Sequence, residues 1–279
     1  MGDVCETPDV SEVQRLRAAY LDLICNSLVG RLNRDPPLQG HLAGYDDEHR
    51  MNGWDWPSAA PSMIGWRRMS HLRNECERVI IEGVPGDMLE AGVWRGGAAM
   101  MMRAVLKAYA ESGRSVIAAD TFAGMPRDAD AGDSAGFLRE AAAFAVSLDE
   151  VKAAFYRYGL LDDRVVFLEG DFAATLKDAP TTCLAILRLD GDTYRSARVS
   201  LDGLYDKLSP GGSVILDDYF LFADYRRGVD EFRAERNIAD PIVRIDDYGG
   251  YWIKHGRRRN RGMRGDVAPA GATTAREET

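Results

Sequence analysis

Leu89-Glu90-Ala91-Gly92-Val93-Trp94-Arg95-Gly96-Gly97 is the stretch that decides the fold. Residues 87–93 read as a short apolar strand. It runs through glycines into residues 98–110, whose alanines, methionines and leucine are spaced as in a helix. A strand that enters a helix through glycines is the ligand-binding turn of an open α/β sheet, because a residue without Cβ lets a ligand approach the backbone. The spacing is not G-x-G-x-x-G, which disfavours a dinucleotide. Glu90 disfavours it further: a carboxylate repels a pyrophosphate and attracts a cofactor bearing an ammonium or sulfonium group. Two structural roles compete with this reading. The glycines can serve tight helix packing, and Glu90 can cap the helix.

Outward from this turn, residues 115–120, 165–169, 184–190 and 213–217 are further short apolar runs. Helical stretches such as 196–207 separate them, a pattern that calls for a mostly parallel sheet covered on both faces. Residues 241–246 and 251–255 are two closing strands joined through Asp247-Tyr248-Gly249-Gly250, predicting an antiparallel edge. Upstream, helical periodicity covers 10–32 and 63–82, the second ending at Gly83 before Pro85. The Pro-, Gly-, Asp- and Trp-rich residues between them, 34–61, read as a mobile or draped segment.

Each strand end then supplies acids. Asp120 closes the second strand, where a carboxylate can accept both ribose hydroxyls of an adenosine. Asp171, in Glu169-Gly170-Asp171-Phe172, can accept from an adenine amino group while Phe172 stacks; it can equally N-cap the following turn. Asp190 and Asp192 follow the fourth strand, and Asp217 and Asp218 follow the fifth. Both strand ends open on one crevice, so four carboxylates converge there. Such crowding costs stability unless a cation neutralises it, and hard oxygen donors suit Mg²⁺ or Ca²⁺. An EF-hand is excluded, because the twelfth position counted from Asp190 is Leu201 rather than Glu.

Composition bounds what this crevice serves. With 279 residues, 46% of them hydrophobic, the chain holds one α/β domain with terminal additions. A net charge of -9 gives no field to gather phosphates, so neither nucleic acid nor an anionic membrane is an expected partner. The four cysteines lack a CxxC pair and read as reduced thiols. No apolar run reaches membrane-spanning length and no leader opens the chain, so a cytoplasmic protein is expected. Residues 257–279 are Arg-rich and poor in apolar side chains, which predicts disorder.

Taken together, residues 89–97, Asp120-Thr121-Phe122-Ala123-Gly124-Met125-Pro126, Arg188-Leu189-Asp190-Gly191-Asp192 and Asp217-Asp218-Tyr219 resemble the macrocin O-methyltransferase (TylF-type) family. The resemblance extends upstream through Asp55-Trp56-Pro57 and Ser62-Met63-Ile64-Gly65, and downstream to about Lys254. It implies a class I, Rossmann-like methyltransferase: a doubly wound, mostly parallel sheet with an antiparallel edge strand. An N-terminal helical lid would span residues 1–84, the methyltransferase domain 85–256 and a basic tail 257–279. The implied chemistry is methylation of a sugar hydroxyl on a macrolide, aminocoumarin or similar natural product, by a homodimer or higher homo-oligomer using S-adenosylmethionine and Mg²⁺. Carried over by position, Asp190, Asp217 and Asp218 match the metal ligands and Asp192 the general base. Met63, Glu90, Ala91, Gly92, Gly96, Asp120, Thr121, Asp171 and Phe172 match cofactor positions. Ala91 and Ser62 depart from the threonines common in the family. Residues 34–62 and the loop 123–137 are expected to cover the acceptor. The competing readings are a catechol-type methyltransferase, an NAD-dependent sugar oxidoreductase and a non-catalytic nucleoside-binding module. The oxidoreductase lacks its glycine spacing and a Tyr-x-x-x-Lys pair. A binding module gives no reason for the further acids.

Overall fold

The computed structural model describes residues 10–38, 44–125 and 144–256. The expectations for the tail 257–279 and for most of the 123–137 loop fall outside these residues. Seven strands form one sheet in the order β3-β2-β1-β4-β5-β7-β6. They are β1 (Asp87–Ala91), β2 (Val116–Asp120), β3 (Val165–Glu169), β4 (Leu184–Leu189), β5 (Leu208–Leu216), β6 (Val243–Arg244) and β7 (Gly250–Ile253). The first five run parallel, while β7 pairs antiparallel with both β5 and β6. The chain order reverses at β1 and β4, so the crevice at their C-terminal ends is the switch point where such sheets bind ligands.

Strand alternation sends side chains into two buried layers. Met88, Ala118, Ile186 and Ile215 face one layer. It is covered by α1 (Val10–Leu28), α3 (Gly65–Ile81), α4 (Gly97–Ala108) and α5 (Leu148–Arg157). Leu89, Ala119, Leu187 and Leu216 face the other, covered by α7 (Tyr194–Leu204) and α8 (Ala223–Glu235). Between these lie two short helices, α2 (Asp47–Asn52) and α6 (Phe172–Thr175). Capping boxes start α5, through Ser147 and Glu150, and α7, through Thr193 and Ser196. Each satisfies two backbone donors that a helix start leaves open.

Three departures from the sequence reading have physical causes. The first helix stops at Leu28 rather than 32, and Gly30 takes φ 72° in the turn that follows. β5 begins at Leu208, five residues earlier than read, because Pro210, Gly211 and Gly212 carry no apolar signal yet lie within the strand. The segment read as draped contains α2 and is anchored. Arg50, fully buried, donates to both oxygens of Asp55 and to the carbonyls of Val29 and Asp35. Asp35 in turn accepts from the Ala59 and Ala60 amides and the Ser58 hydroxyl. A burial pattern dominated by one arginine carries no hydrophobic periodicity, which is why spacing did not reveal it. No helix among the described residues is long and apolar enough to cross a membrane.

Candidate active site

The C-terminal ends of β1, β2, β4 and β5 open into a cavity of about 300 Å³. Glu90, Gly92, Asp120, Thr121, Asp171, Phe172, Asp190, Asp192, Asp217 and Asp218 all border it, and Met63 closes one wall. Ala91 and Gly96 do not. Ala91 is buried within β1, and a Cβ on Gly96 would meet Phe155 and Val151 at 3.0 Å. The glycines at this turn therefore serve packing as well as access. A Cβ on Gly92 would fall 1.6 Å from the Asp190 carbonyl oxygen, and one on Gly97 would fall 2.5 Å from Cβ of Ser62. Gly92 is thus what lets β1 and β4 bring their acids together.

Glu90, Arg188 and Asp217 share a face of the sheet. Glu90 pairs with Arg188 in strand register, and Arg188 with Ile215, two residues before Asp217. All three are buried. Arg188 Nη1 donates to Glu90 Oε1 at 2.6 Å and to Asp190 Oδ2 at 2.9 Å, while Nη2 donates to Asp217. Arg68 of α3 approaches from above, donating to the other Asp217 oxygen and to Asp246 Oδ2 at 3.1 Å. Glu90 Oε2 has no partner among the described residues. Burial pushes the Glu90 carboxyl up to about 8, against the pull of Arg188. An unpartnered acid oxygen on a cavity wall is an acceptor awaiting a donor, and a cationic amino group answers both needs.

At the next strand end, Asp190, Asp192 and Asp218 each place a carboxylate oxygen within 4.8 Å of the others. Burial, followed by the neighbouring acids, raises Asp190 to about 6 and Asp192 to about 7, and raises Asp218 well above the carboxylate range. Asp218 Oδ2 has no hydrogen-bond partner among the described residues. These donors fit a hard divalent cation, whose charge would let all three ionise. Asp217 is placed differently: it stands beside this set with both oxygens held by arginines. Asp192 takes φ 63°, a left-handed conformation that costs a non-glycine residue about 1–3 kcal/mol and that concentrates at functional sites. Gly191 before it is held to glycine by packing, since a Cβ there would meet Ser196 at 2.6 Å.

The adenosine-side acids are also engaged. Asp120 accepts from the Val93 amide at 2.7 Å and the Phe122 amide at 2.9 Å. Asp171 does N-cap α6, accepting from Ala173, and its two oxygens also meet the Arg195 guanidinium. Sequence reasoning assigned no role to Arg188, Arg68, Arg195 or the aromatic wall of Trp54, Trp56, Phe144 and Tyr248, all of which border the cavity. Arg188 did leave a signal: a charge inside the strand run Leu184-Ala185-Ile186-Leu187-Arg188-Leu189 stays buried only if paired. Among the histidines, which could also serve as bases, His49 and His71 lie outside the cavity lining and His41 lies outside the described residues.

The model of the family described as macrocin O-methyltransferase (TylF) matches residues 13–254. A Streptomyces olivaceus relative, 8-demethyl-8-(2,3-dimethoxy-alpha-L-rhamnosyl)-tetracenomycin-C 4'-O-methyltransferase, is 46% identical over 85% of this chain and 92% of its own. Demethyldecarbamoylnovobiocin O-methyltransferase of Streptomyces niveus is 42% identical over 90% and 98%. Mycinamicin III 3''-O-methyltransferase of Micromonospora griseorubida is 42% identical over 84% and 95%. The solved structure of the O-methyltransferase NovP superposes with a TM-score of 0.82 at 44% identity, covering 86% of this chain and all of that one. The strand order, the acid-lined crevice and these matches agree: the chain is an O-methyltransferase of the macrocin O-methyltransferase (TylF) family.

Proposed function

We propose that this enzyme transfers the methyl group of S-adenosylmethionine to a sugar hydroxyl of a glycosylated natural product, with Mg²⁺ held at the acid cluster. The observation that carries the reading is the pairing of two incomplete sites in one cavity. Glu90 offers an unpartnered buried oxygen, and Asp190, Asp192 and Asp218 converge a strand away. One relative is named for methylating a rhamnosyl-tetracenomycin, and the other two for O-methylation of demethyldecarbamoylnovobiocin and of mycinamicin III, which supports a sugar as acceptor. Every arginine that borders the cavity among the described residues is already paired with acids, so nothing there is free to receive a phosphate. That favours an uncharged glycoside.

Glu90 takes the cofactor's amino group, Asp120 its ribose hydroxyls and Asp171 its adenine. Met63, Ala91, Gly92, Gly96, Thr121 and Phe172 shape the surrounding backbone and walls. Asp190 and Asp218 hold the cation; Asp217, matched to a third ligand by the resemblance, has both oxygens on Arg68 and Arg188 and positions the set instead. When bound, Mg²⁺ supplies positive charge that lowers the pKa of the hydroxyl to be methylated. Asp192 accepts the proton at its carboxylate. Burial and the acids around it raise it to about 7, and a cation at the cluster would draw it back down, leaving it ionised and able to accept. Residues 1–84 contribute the lid and residues 85–256 the catalytic domain, in a cytoplasmic homo-oligomer. The test is calorimetry with S-adenosylhomocysteine and NAD, followed by methyl transfer to antibiotic glycosides with and without chelator. The expected result is S-adenosylhomocysteine binding and chelator-sensitive transfer. NAD binding without S-adenosylhomocysteine binding, or full activity after exhaustive chelation, overturns the corresponding assignment.

A further inference from the structure

Arg188 touches both halves of the proposed site, and no step of the mechanism above uses it. It is 1% exposed, so its charge must be satisfied inside the protein. One nitrogen, Nη1, reaches the cofactor acid Glu90 and the cluster acid Asp190, at 2.6 and 2.9 Å. The other, Nη2, reaches Asp217. A guanidinium is the one side chain that can do this, since it presents separate N–H groups in a fixed plane. The neighbouring Arg68 shares Asp217 but reaches away from the cofactor end, to Asp246. The two arginines therefore differ in what they hold, although both are buried beside the same acid.

We propose that Arg188 is a positioning residue shared by the cofactor and cation sites, setting Glu90, Asp190 and Asp217 through one guanidinium so that the charge state at Glu90 is felt at Asp190. This rests on the reading of the two sites given above. Neutralising Glu90 releases Nη1 from a charged partner. The guanidinium then competes more strongly with a cation for Asp190. Loss of the negative charge itself acts in the same direction, so the sign is fixed: anything that removes the Glu90 charge weakens cation binding, although Glu90 is no cation ligand.

The probes are S-adenosylhomocysteine in chelator and Mn²⁺ without cofactor, followed by calorimetry and, for Mn²⁺, by electron paramagnetic resonance. Arg188→Lys keeps the charge but cannot span three carboxylates. It is expected to weaken both probes by roughly tenfold or more. Arg68→Lys is expected to weaken Mn²⁺ and leave S-adenosylhomocysteine within about twofold. Glu90→Gln keeps size and a hydrogen-bond acceptor, and is expected to weaken Mn²⁺ binding to the cofactor-free protein by about fivefold. It carries the test if Arg188→Lys fails to fold, because Mn²⁺ affinity unmoved in Glu90→Gln overturns the proposal. Where Arg188→Lys folds, a Glu90→Gln effect on Mn²⁺ that persists undiminished in the Arg188→Lys background acts through the lost charge alone, and that result overturns the proposal as well. So does loss of only one probe in folded Arg188→Lys. Wild-type protein that binds neither probe overturns the functional reading itself and the link with it. Binding of both by wild type with no cross-effect overturns the link alone.

Discussion

Asp192 and Asp218 stand in one cluster, yet their surroundings suit them to different work. Asp192 is held at a left-handed backbone position and raised to about 7, while Asp218 has an oxygen with no partner. Asp192→Asn is expected to lower turnover by about 10²- to 10⁴-fold with cofactor and Mg²⁺ affinity nearly unchanged. The limb of the pH profile that rises through the base's pKa should vanish with it. Asp218→Asn should instead raise the Mg²⁺ concentration needed for half activity, with partial recovery in excess metal. Rescue of Asp192→Asn by metal, with the pH limb retained, would make Asp192 a ligand and put the base elsewhere. This distinction matters because Asp192 also lies within 4.8 Å of the other donors. His71 gives a pH effect of opposite sign to that of the cluster acids. Half-buried against Tyr251 with ring centroids 4.3 Å apart, it has neither nitrogen partnered among the described residues, and burial lowers it to about 4. The unfolded imidazole titrates near 6.5, so stability is lost as pH falls from 6.5 to 4, by on the order of 2–3 kcal/mol. Urea melts at both ends of that window should show the loss in wild type and a smaller one in His71→Leu.

At the scale of elements, Gly53, Trp54, Trp56, Pro61 and Ser62 line one side of the cavity, and a buried ion pair holds them there. Trp54 and Trp56 flank Asp55, and Arg50 ties Asp55 to the carbonyls of Val29 and Asp35. Arg50→Met leaves a buried carboxylate without its cation, which costs about 3–5 kcal/mol. Thermal melts should show that loss, and the acceptor KM should rise more than the cofactor Kd because the displaced wall carries the tryptophans. Unchanged stability would mean the pair is replaceable. The strands β1 to β4 and both closing strands were legible in the sequence because each is a short apolar run ending in a turn, a local signal. The acids were legible for the same reason: each sits at a strand end, where position implies direction. The Arg50–Asp55 tie, the start of β5 and the arginines between the acids were not. Arg68 finds its partners Asp217 and Asp246 at 149 and 178 residues' separation, and a pairing at that distance leaves no periodicity; Arg50 and Asp55 are five residues apart but leave no apolar spacing to read. Gly92 was legible as special but for a different cause: the space it leaves is filled by Asp190 rather than only by a ligand.

Across the whole molecule, the edge formed by the C-terminal ends of β1, β4 and β5 is built against the stability of the cofactor-free, metal-free chain. Glu90, Asp192 and Asp190 have carboxyls raised to about 8, 7 and 6, chiefly by burial, and Asp218 is raised further. For an acid whose folded pKa exceeds its unfolded one, the folded state binds the proton more tightly. Its contribution to stability is present below the unfolded pKa, near 4, and is lost as pH rises through the folded value. The cofactor-free, metal-free chain is therefore expected to lose stability between about pH 5 and 8.5, where most proteins are near their maximum. Surface acids such as Asp47, which Arg31 holds down to about 2, act in the opposite sense but only at much lower pH. The His71 limb, falling below 6.5, leaves the upper part of the window to the cluster. S-adenosylhomocysteine should flatten the decline assigned to Glu90, and Mg²⁺ that assigned to the aspartates, because each favours the ionised form it binds. Thermal melts in chelator across this range, repeated with each ligand alone and with both, separate the two contributions. Glu90→Gln should flatten the ligand-free curve to the extent that S-adenosylhomocysteine flattens the wild-type one. A ligand-free chain whose melting temperature holds steady or rises from pH 5 to 8.5 would mean that the acids ionise without cost, and that the edge does not need its ligands to be stable.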